Sequence, residues 1–136
     1  MSESAQAFSL GLTYWPRGAG PLLWQRYDRG AVQEELAHIA ALGCDTIRLC
    51  LSWEDFQPGA ERLNGQAFRY LEHALDAAQQ SGLRVVTQLF PATLMGVLQL
   101  PAWANSPDVI GQLRRAASRR SLVIIRPAGV VAVLAG

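Results

Sequence analysis

The pattern of apolar and polar positions divides the first two thirds of the chain into alternating strand and helix units. Phe8 to Trp15 reads as a short strand, stopped by Pro16 and Gly18. A loop rich in glycine and proline follows, and Asp28 is placed to cap a helix. Val32, Leu36, Ile39 and Ala40 fall at i, i+4, i+7 and i+8, one apolar stripe on a helix running to about Leu42. Glu34 and Glu35 lie near the helix start, which favours negative charge, and Gly43 is the expected residue after the C-cap. From Cys44 the chain alternates again. Ile47, Leu49 and Leu51 point to one side of a strand, and Thr46, Arg48, Cys50 and Ser52 to the other. The apolar side suits helices; the polar side, built around one arginine, suits the inside of a barrel or a ligand crevice. Asn64 caps a second helix through about Gln80, with Phe68, Leu71, Leu75 and Ala78 as its stripe and Gly82 at its end. Leu83 to Phe90 is a third strand, stopped by Pro91.

The order is therefore β-α-β-α-β with short connections, an α/β class that predicts parallel strands joined by right-handed crossovers. Beyond Pro91 the pattern weakens. Ala92 to Trp103 is apolar without a clear period and is cut by Pro101. Ser106-Pro107-Asp108 resembles a capped helix start, predicting a short helix to about Ala117. Two β-branched runs, Leu122–Ile125 and Val130–Val133, predict a hairpin in the tail. The expected division is residues 1–104 as one α/β unit and 105–136 as a short helix and apolar tail without an assigned role.

Composition narrows the function classes. Half of the 136 residues are hydrophobic, enough for one buried core, and the formal charge is +1, with no general attraction to nucleic acid or membrane. All twelve basic residues are arginine. Five of them, Arg114, Arg115, Arg119, Arg120 and Arg126, follow the last acidic residue, Asp108, and read as a solvated face, since no aromatics are interleaved as a nucleic-acid surface would want. Cys44 and Cys50 are six residues apart on or beside one strand, roughly 20 Å, far beyond disulfide reach. They read as small core residues of a reducing compartment. His38 and His73 fall on separate helices with no acidic or cysteine cluster beside them, so neither a metal nor a cofactor is expected. No signal peptide is visible at the N-terminus, and the longest apolar run is too short to span a bilayer; the expected location is the cytoplasm. The first strand is followed by Tyr-Trp-Pro-Arg-Gly-Ala-Gly-Pro, not by a G-x-G-x-x-G turn, and no P-loop is present, which counts against the nucleotide folds.

The remaining architecture is the start of a (β/α)₈ barrel, and here the motifs resemble a family. Gly11-x-x-Tyr14-x-Pro16 with Trp24 downstream is similar to the first strand and loop of the retaining (β/α)₈ glycoside hydrolases, the clan of the family 42 β-galactosidases and the family 5 cellulases and mannanases. The likeness continues through Thr46-Ile47-Arg48-Leu49, Ser52-Trp53-x-x-Phe56-x-Pro58, Leu63-Asn64-x-x-x-Phe68 and Gly82-Leu83-Arg84-Val85-Val86 to Leu100-Pro101-Ala102-Trp103, covering about residues 8–104. The resemblance implies a TIM barrel, incomplete in this chain, and a two-carboxylate mechanism with the pair about 5 Å apart. In that clan the pair sits on strands four and seven. A full barrel needs around 250 residues, so both carboxylates are expected to lie beyond this chain, and the chain alone is expected to be inactive.

The candidate substrate-binding residues are Arg48, Trp53, Tyr14, Trp15 and Trp103. The resemblance gives Arg48 a carboxylate to support, for which its fork of donors is suited; a structural ion pair is the plain alternative. The four aromatics could stack on a sugar or simply pack, and Trp24 reads as packing. Glu54 and Asp55, adjacent in a loop, point apart and read as solvated rather than catalytic. His38 and His73 read as surface helix positions. The expected partner is a carbohydrate, with no nucleic acid and no membrane; oligomeric state is open. The competing reading is a small non-catalytic α/β domain that binds a ligand or partner, with the tail hairpin completing its sheet.

Overall fold

The computed structural model describes residues 8–91, 93–94, 97–111, 123–125 and 132–134. Three parallel strands, β1 (Gly11–Thr13), β2 (Thr46–Leu51) and β3 (Arg84–Leu89), form one sheet with β2 in the middle. Helix α1 (Arg29–Ala41) joins β1 to β2. A single turn, α2 (Trp53–Phe56), and the long helix α3 (Gly65–Gln80) join β2 to β3. This is the β-α-β-α-β start of a TIM barrel, with the sheet left open. The register sets Thr13, Arg48 and Val86 in one row across it.

The helix ends follow local chemistry. The Asp28 carboxylate accepts from the Ala31 N–H at 2.9 Å, and the Asn64 side chain accepts from the N–H groups of Gln66 and Ala67, each satisfying donors left over at a helix start. Gly43 and Gly82 end the two long helices with φ of 92° and 72°, a left-handed turn that costs glycine no Cβ clash.

The core lies between the helices and one face of the sheet. Ile47, Leu49 and Leu51 are buried there, as the alternation predicts, against Val32 and Leu36 of α1. The stripe on α3 differs from expectation. Its buried positions are Ala67, Ala74, Ala77 and Ala78, with Tyr70 and Leu71 half-buried, while Phe68 and Leu75 stand at the exposed margin. These alanines join the core cluster of the sheet and α1, and α3 also packs against α1. Small alanines allow two helices to approach closely, and the larger side chains are displaced to the flanks.

The first strand is shorter than the predicted Phe8–Trp15. It keeps tight contact with β2: a Cβ on Gly11 would meet the Thr46 carbonyl at 3.1 Å. Pairing continues beyond the strand through the Tyr14 N–H, which donates to the Arg48 carbonyl at 3.0 Å. At the amino end of the sheet Asp45 gathers the three strands. Its Oδ1 accepts from the hydroxyls of Ser9 and Thr46, both at 2.7 Å, and pairs with the Arg84 guanidinium at 3.3 Å. The Thr46 and Ser9 hydroxyls, then Arg84, hold the Asp45 carboxyl down at about 2.

After β3 come a short antiparallel pair, β4 (Thr93–Leu94) and β5 (Val97–Leu98), and a 3₁₀ turn at Ala102–Ala104. Residues 107–111 are helical, with the Ser106 hydroxyl accepting from the Val109 N–H at 3.3 Å; the predicted continuation to Ala117 lies outside the described residues. In the tail, β6 (Val123–Ile125) pairs antiparallel with β7 (Ala132–Leu134), the hairpin pattern expected. The five tail arginines lie outside the described residues. No helix among the described residues is long and apolar enough to cross a membrane.

Candidate carbohydrate site

The two faces of β2 part company at Arg48. Expected inside the fold, its side chain is exposed, beside Val86 at 53% exposure in the same row, whereas Cys50 and Ser52 further along this face are buried. A long arginine can lie on a surface with its charged head in water, which avoids the cost of burying it. Arg48 Nε donates to Thr13 Oγ1 at 3.0 Å. Around it Gly11, Leu12, Thr13, Thr46 and Val86 bound an open hollow of about 390 Å³. Further along the same face the Cys50 thiol donates to Gln88 Oε1 at 3.3 Å. Burial pushes the Cys50 thiol up, against the opposing pull of the Arg48 charge.

Tyr14 turns the other way. It is buried, and its hydroxyl donates to Glu35 Oε2 at 2.6 Å. Glu35 Oε1 also accepts from the Arg17 N–H at 3.2 Å. Burial first, then the Glu35 hydrogen bond, pushes Tyr14 well above the usual phenol range. Neither Glu34 nor Glu35 lies in the first turn of α1, so Glu35 acts through Tyr14 and Arg17 rather than on the helix dipole. Trp15 is half-buried just beyond β1.

The carboxyl end of the sheet is closed by aromatics. Trp53 is 1% exposed, wedged between Phe90, stacked at 6.3 Å, and Trp103, edge-on at 5.4 Å and 89°. Its ring therefore has no face left for a ligand. Trp103 remains half-buried, in a second small core formed with Ala104 and Val109. Trp24 packs as expected, its indole N–H donating to the Cys50 carbonyl at 2.8 Å. Of the five candidates, the structure brings Trp53 and Trp103 together, while Arg48 and Tyr14 stand on opposite sides of the sheet.

Several residues escaped the sequence reading. Gln57, 1% exposed, accepts from the Trp53 indole at 2.9 Å through Oε1 and from the Trp103 indole at 2.9 Å through its main-chain carbonyl. The signal was available: Trp53 and Gln57 are four apart, neighbours on a helical turn. Phe90, with φ of 44°, holds a strained backbone where β3 ends. Glu54 and Asp55 are on α2 rather than in a loop, and Asp55 accepts from Gln25 Nε2 at 3.1 Å. His73 is half-buried, its Nδ1 2.9 Å from the Tyr27 hydroxyl, so it is not the surface position expected. Among the described residues no group of three His, Cys, Asp or Glu could hold a metal ion.

No family profile matches the sequence. No curated protein matches it either. Solved structures do. The chain superposes on a GH5_18 from Streptomyces cattleya, solved with GlcNAc, at a TM-score of 0.71 and 31% identity over 79% of this chain and 28% of the other. A variant of that protein, solved with Manβ1-4GlcNAc, matches at 0.70 and 30% over 77% and 28%. The exo-β-1,4-mannosidase Op5Man5 from Opitutaceae bacterium strain TAV5 matches at 0.69 and 29% over 82% and 21%. The likeness is to the N-terminal portion of these glycoside hydrolases, and the chain spans about a quarter of their length. It bears out the family resemblance read from the motifs.

Proposed function

We propose that this chain builds the amino-terminal wall of a carbohydrate cleft of the retaining glycoside hydrolase type, with a β-linked mannoside rather than a cellulose chain as its sugar. The observation that carries the reading is Arg48. It stands exposed in an open hollow, with only its Nε hydrogen-bonded among the described residues, and its remaining donors form a fork suited to a carboxylate. An arginine there would hold a carboxylate ionised, as a glycosidic nucleophile requires. The sugar class is suggested by the Manβ1-4GlcNAc held by the variant Streptomyces relative and by the name of the mannosidase. Of the four candidate aromatics, Trp103 and Trp15, both half-buried, are those with surface left to meet a sugar.

We further propose that the 136-residue chain binds without hydrolysing. The carboxylates nearest the sheet's carboxyl end, Glu54 and Asp55, are consecutive on α2 and so project about 100° apart. Such a pair does not flank one bond. Two free cysteines, Cys44 and Cys50, support a cytoplasmic location. The test is a titration of the purified chain with Manβ1-4GlcNAc followed by indole NMR, beside an assay with an aryl β-mannoside. Saturable shifts without turnover are expected. Turnover above background overturns the non-catalytic reading, and the absence of any saturable shift overturns the carbohydrate reading.

A second reading, a non-catalytic domain that binds a partner, is favoured by β3, where Val86 is 53% and Leu89 39% exposed. A chain that stays monomeric and captures no binding partner at high concentration counts against it.

A further inference from the structure

Gln57 is the most tightly held polar side chain of the carboxyl end. Burying an amide is costly unless its hydrogen bonds are made, and here every polar group is used. Oε1 accepts from the Trp53 indole at 2.9 Å, and Nε2 donates to the Ala60 carbonyl at 3.0 Å. The main-chain N–H donates to the Trp53 carbonyl at 2.8 Å. The main-chain carbonyl accepts from the Trp103 indole at 2.9 Å, across 46 positions of sequence. Gln57 follows the last residue of α2 with φ −131° and ψ 75°, a non-helical conformation that turns this carbonyl away from the helix ladder.

The consequence falls on Trp103. A tryptophan side chain has two rotatable bonds. The Gln57 carbonyl fixes where the indole N–H sits, and Trp53, edge-on at 89°, fixes the tilt of the ring. Trp53 is itself fixed by the Gln57 side chain. One residue therefore controls both constraints. We infer that Gln57 is a positioning residue for Trp103, presetting this half-exposed ring as a platform on which the apolar face of a pyranose stacks. This rests on the carbohydrate reading above. A platform fixed before binding loses little side-chain freedom when the sugar arrives, which raises affinity.

The test compares wild type with Gln57→Met, which keeps the volume and removes both side-chain hydrogen bonds, and Gln57→Glu, which keeps an acceptor for Trp53. Indole ¹⁵N–¹H spectra read hydrogen-exchange protection of the Trp103 N–H, and a Manβ1-4GlcNAc titration reads affinity. Q57M keeps the main-chain carbonyl that accepts from Trp103 but releases the Trp53 and Ala60 hydrogen bonds that hold residue 57 in place. It is expected to lower the Trp103 protection without abolishing it and to bind up to about tenfold more weakly, the scale of one lost buried hydrogen bond. Q57E is expected to recover part of both. If Q57M does not fold, Trp103→Phe, which keeps a ring but deletes the N–H, should show the same weakening. A folded Q57M with wild-type protection and affinity overturns the inference while leaving the carbohydrate reading intact. So does a W103F that binds as wild type. Lowered Trp103 protection in Q57M, in a protein whose wild type binds no sugar, supports the positioning role and removes the carbohydrate reading alone.

Discussion

Leu49 and Arg48 are neighbours on β2 and live in different media. Leu49 is fully buried under the helices; Arg48 lies exposed on an open sheet face. The same strand thus presents a finished surface and an unfinished one. The helix face is closed by apolar contacts whose loss is felt throughout the fold. Around Arg48 the other face is held by a single hydrogen bond to Thr13 and leaves its chemistry available, while further along it Cys50, bonded to Gln88, is buried. Stability and binding are therefore expected to separate by face.

The largest break in that contrast is Leu49→Ala. Removing a fully buried leucine leaves a cavity and should cost about 2–5 kcal/mol, enough to lower or abolish the cooperative unfolding transition in urea. Next is Ala74→Leu, which overpacks a buried core position of α3 and should cost about 1–3 kcal/mol by the same measurement. An unchanged midpoint would show that the core is not closely packed around Ala74.

Alkaline pH probes the same face more gently. Tyr14 and Tyr27 are both raised above the usual phenol range, chiefly by burial. A raised folded pKa gives stability that is complete below the unfolded value of about 10 and is lost as pH climbs above it, because only the unfolded chain then releases its protons. Tyr14→Phe should flatten that loss in a pH series of thermal melts; an equally steep loss would show that Tyr14 is not protected. At the sheet's amino end the sign reverses. Asp45 is held down at about 2, so its contribution is present above the unfolded carboxylate value and disappears as pH falls from about 4 towards 2. Asp45→Asn should remove this acid dependence; because the group is exposed, the effect is small. The smallest expected effect on stability is Arg48→Gln, within about 0.5 kcal/mol. A large loss in that variant would mean that the open face is part of the core after all.

Much of the fold could be read from short-range rules. The caps at Asp28 and Asn64, the glycine stops at 43 and 82, and the alternation of β2 depend on residues within a few positions of one another. The α3 stripe could not be read this way. Phe68 and Leu75 have the right spacing, but helical period marks a face without saying which neighbour will cover it. The candidate site divides similarly. The motif order around Trp53 and Trp103 was visible, whereas the Gln57 link between them spans two separate segments and is created only when the 102–104 turn folds back onto α2.

The sequence by itself determined the element order, the helix ends and the two-sided character of β2, because those follow from backbone geometry and neighbouring side chains. Tertiary structure alone decided that Arg48 faces solvent, that Trp53 is sealed, and that alanines form the buried face of α3. Burial depends on which surfaces meet, and that depends on contacts between residues far apart along the chain.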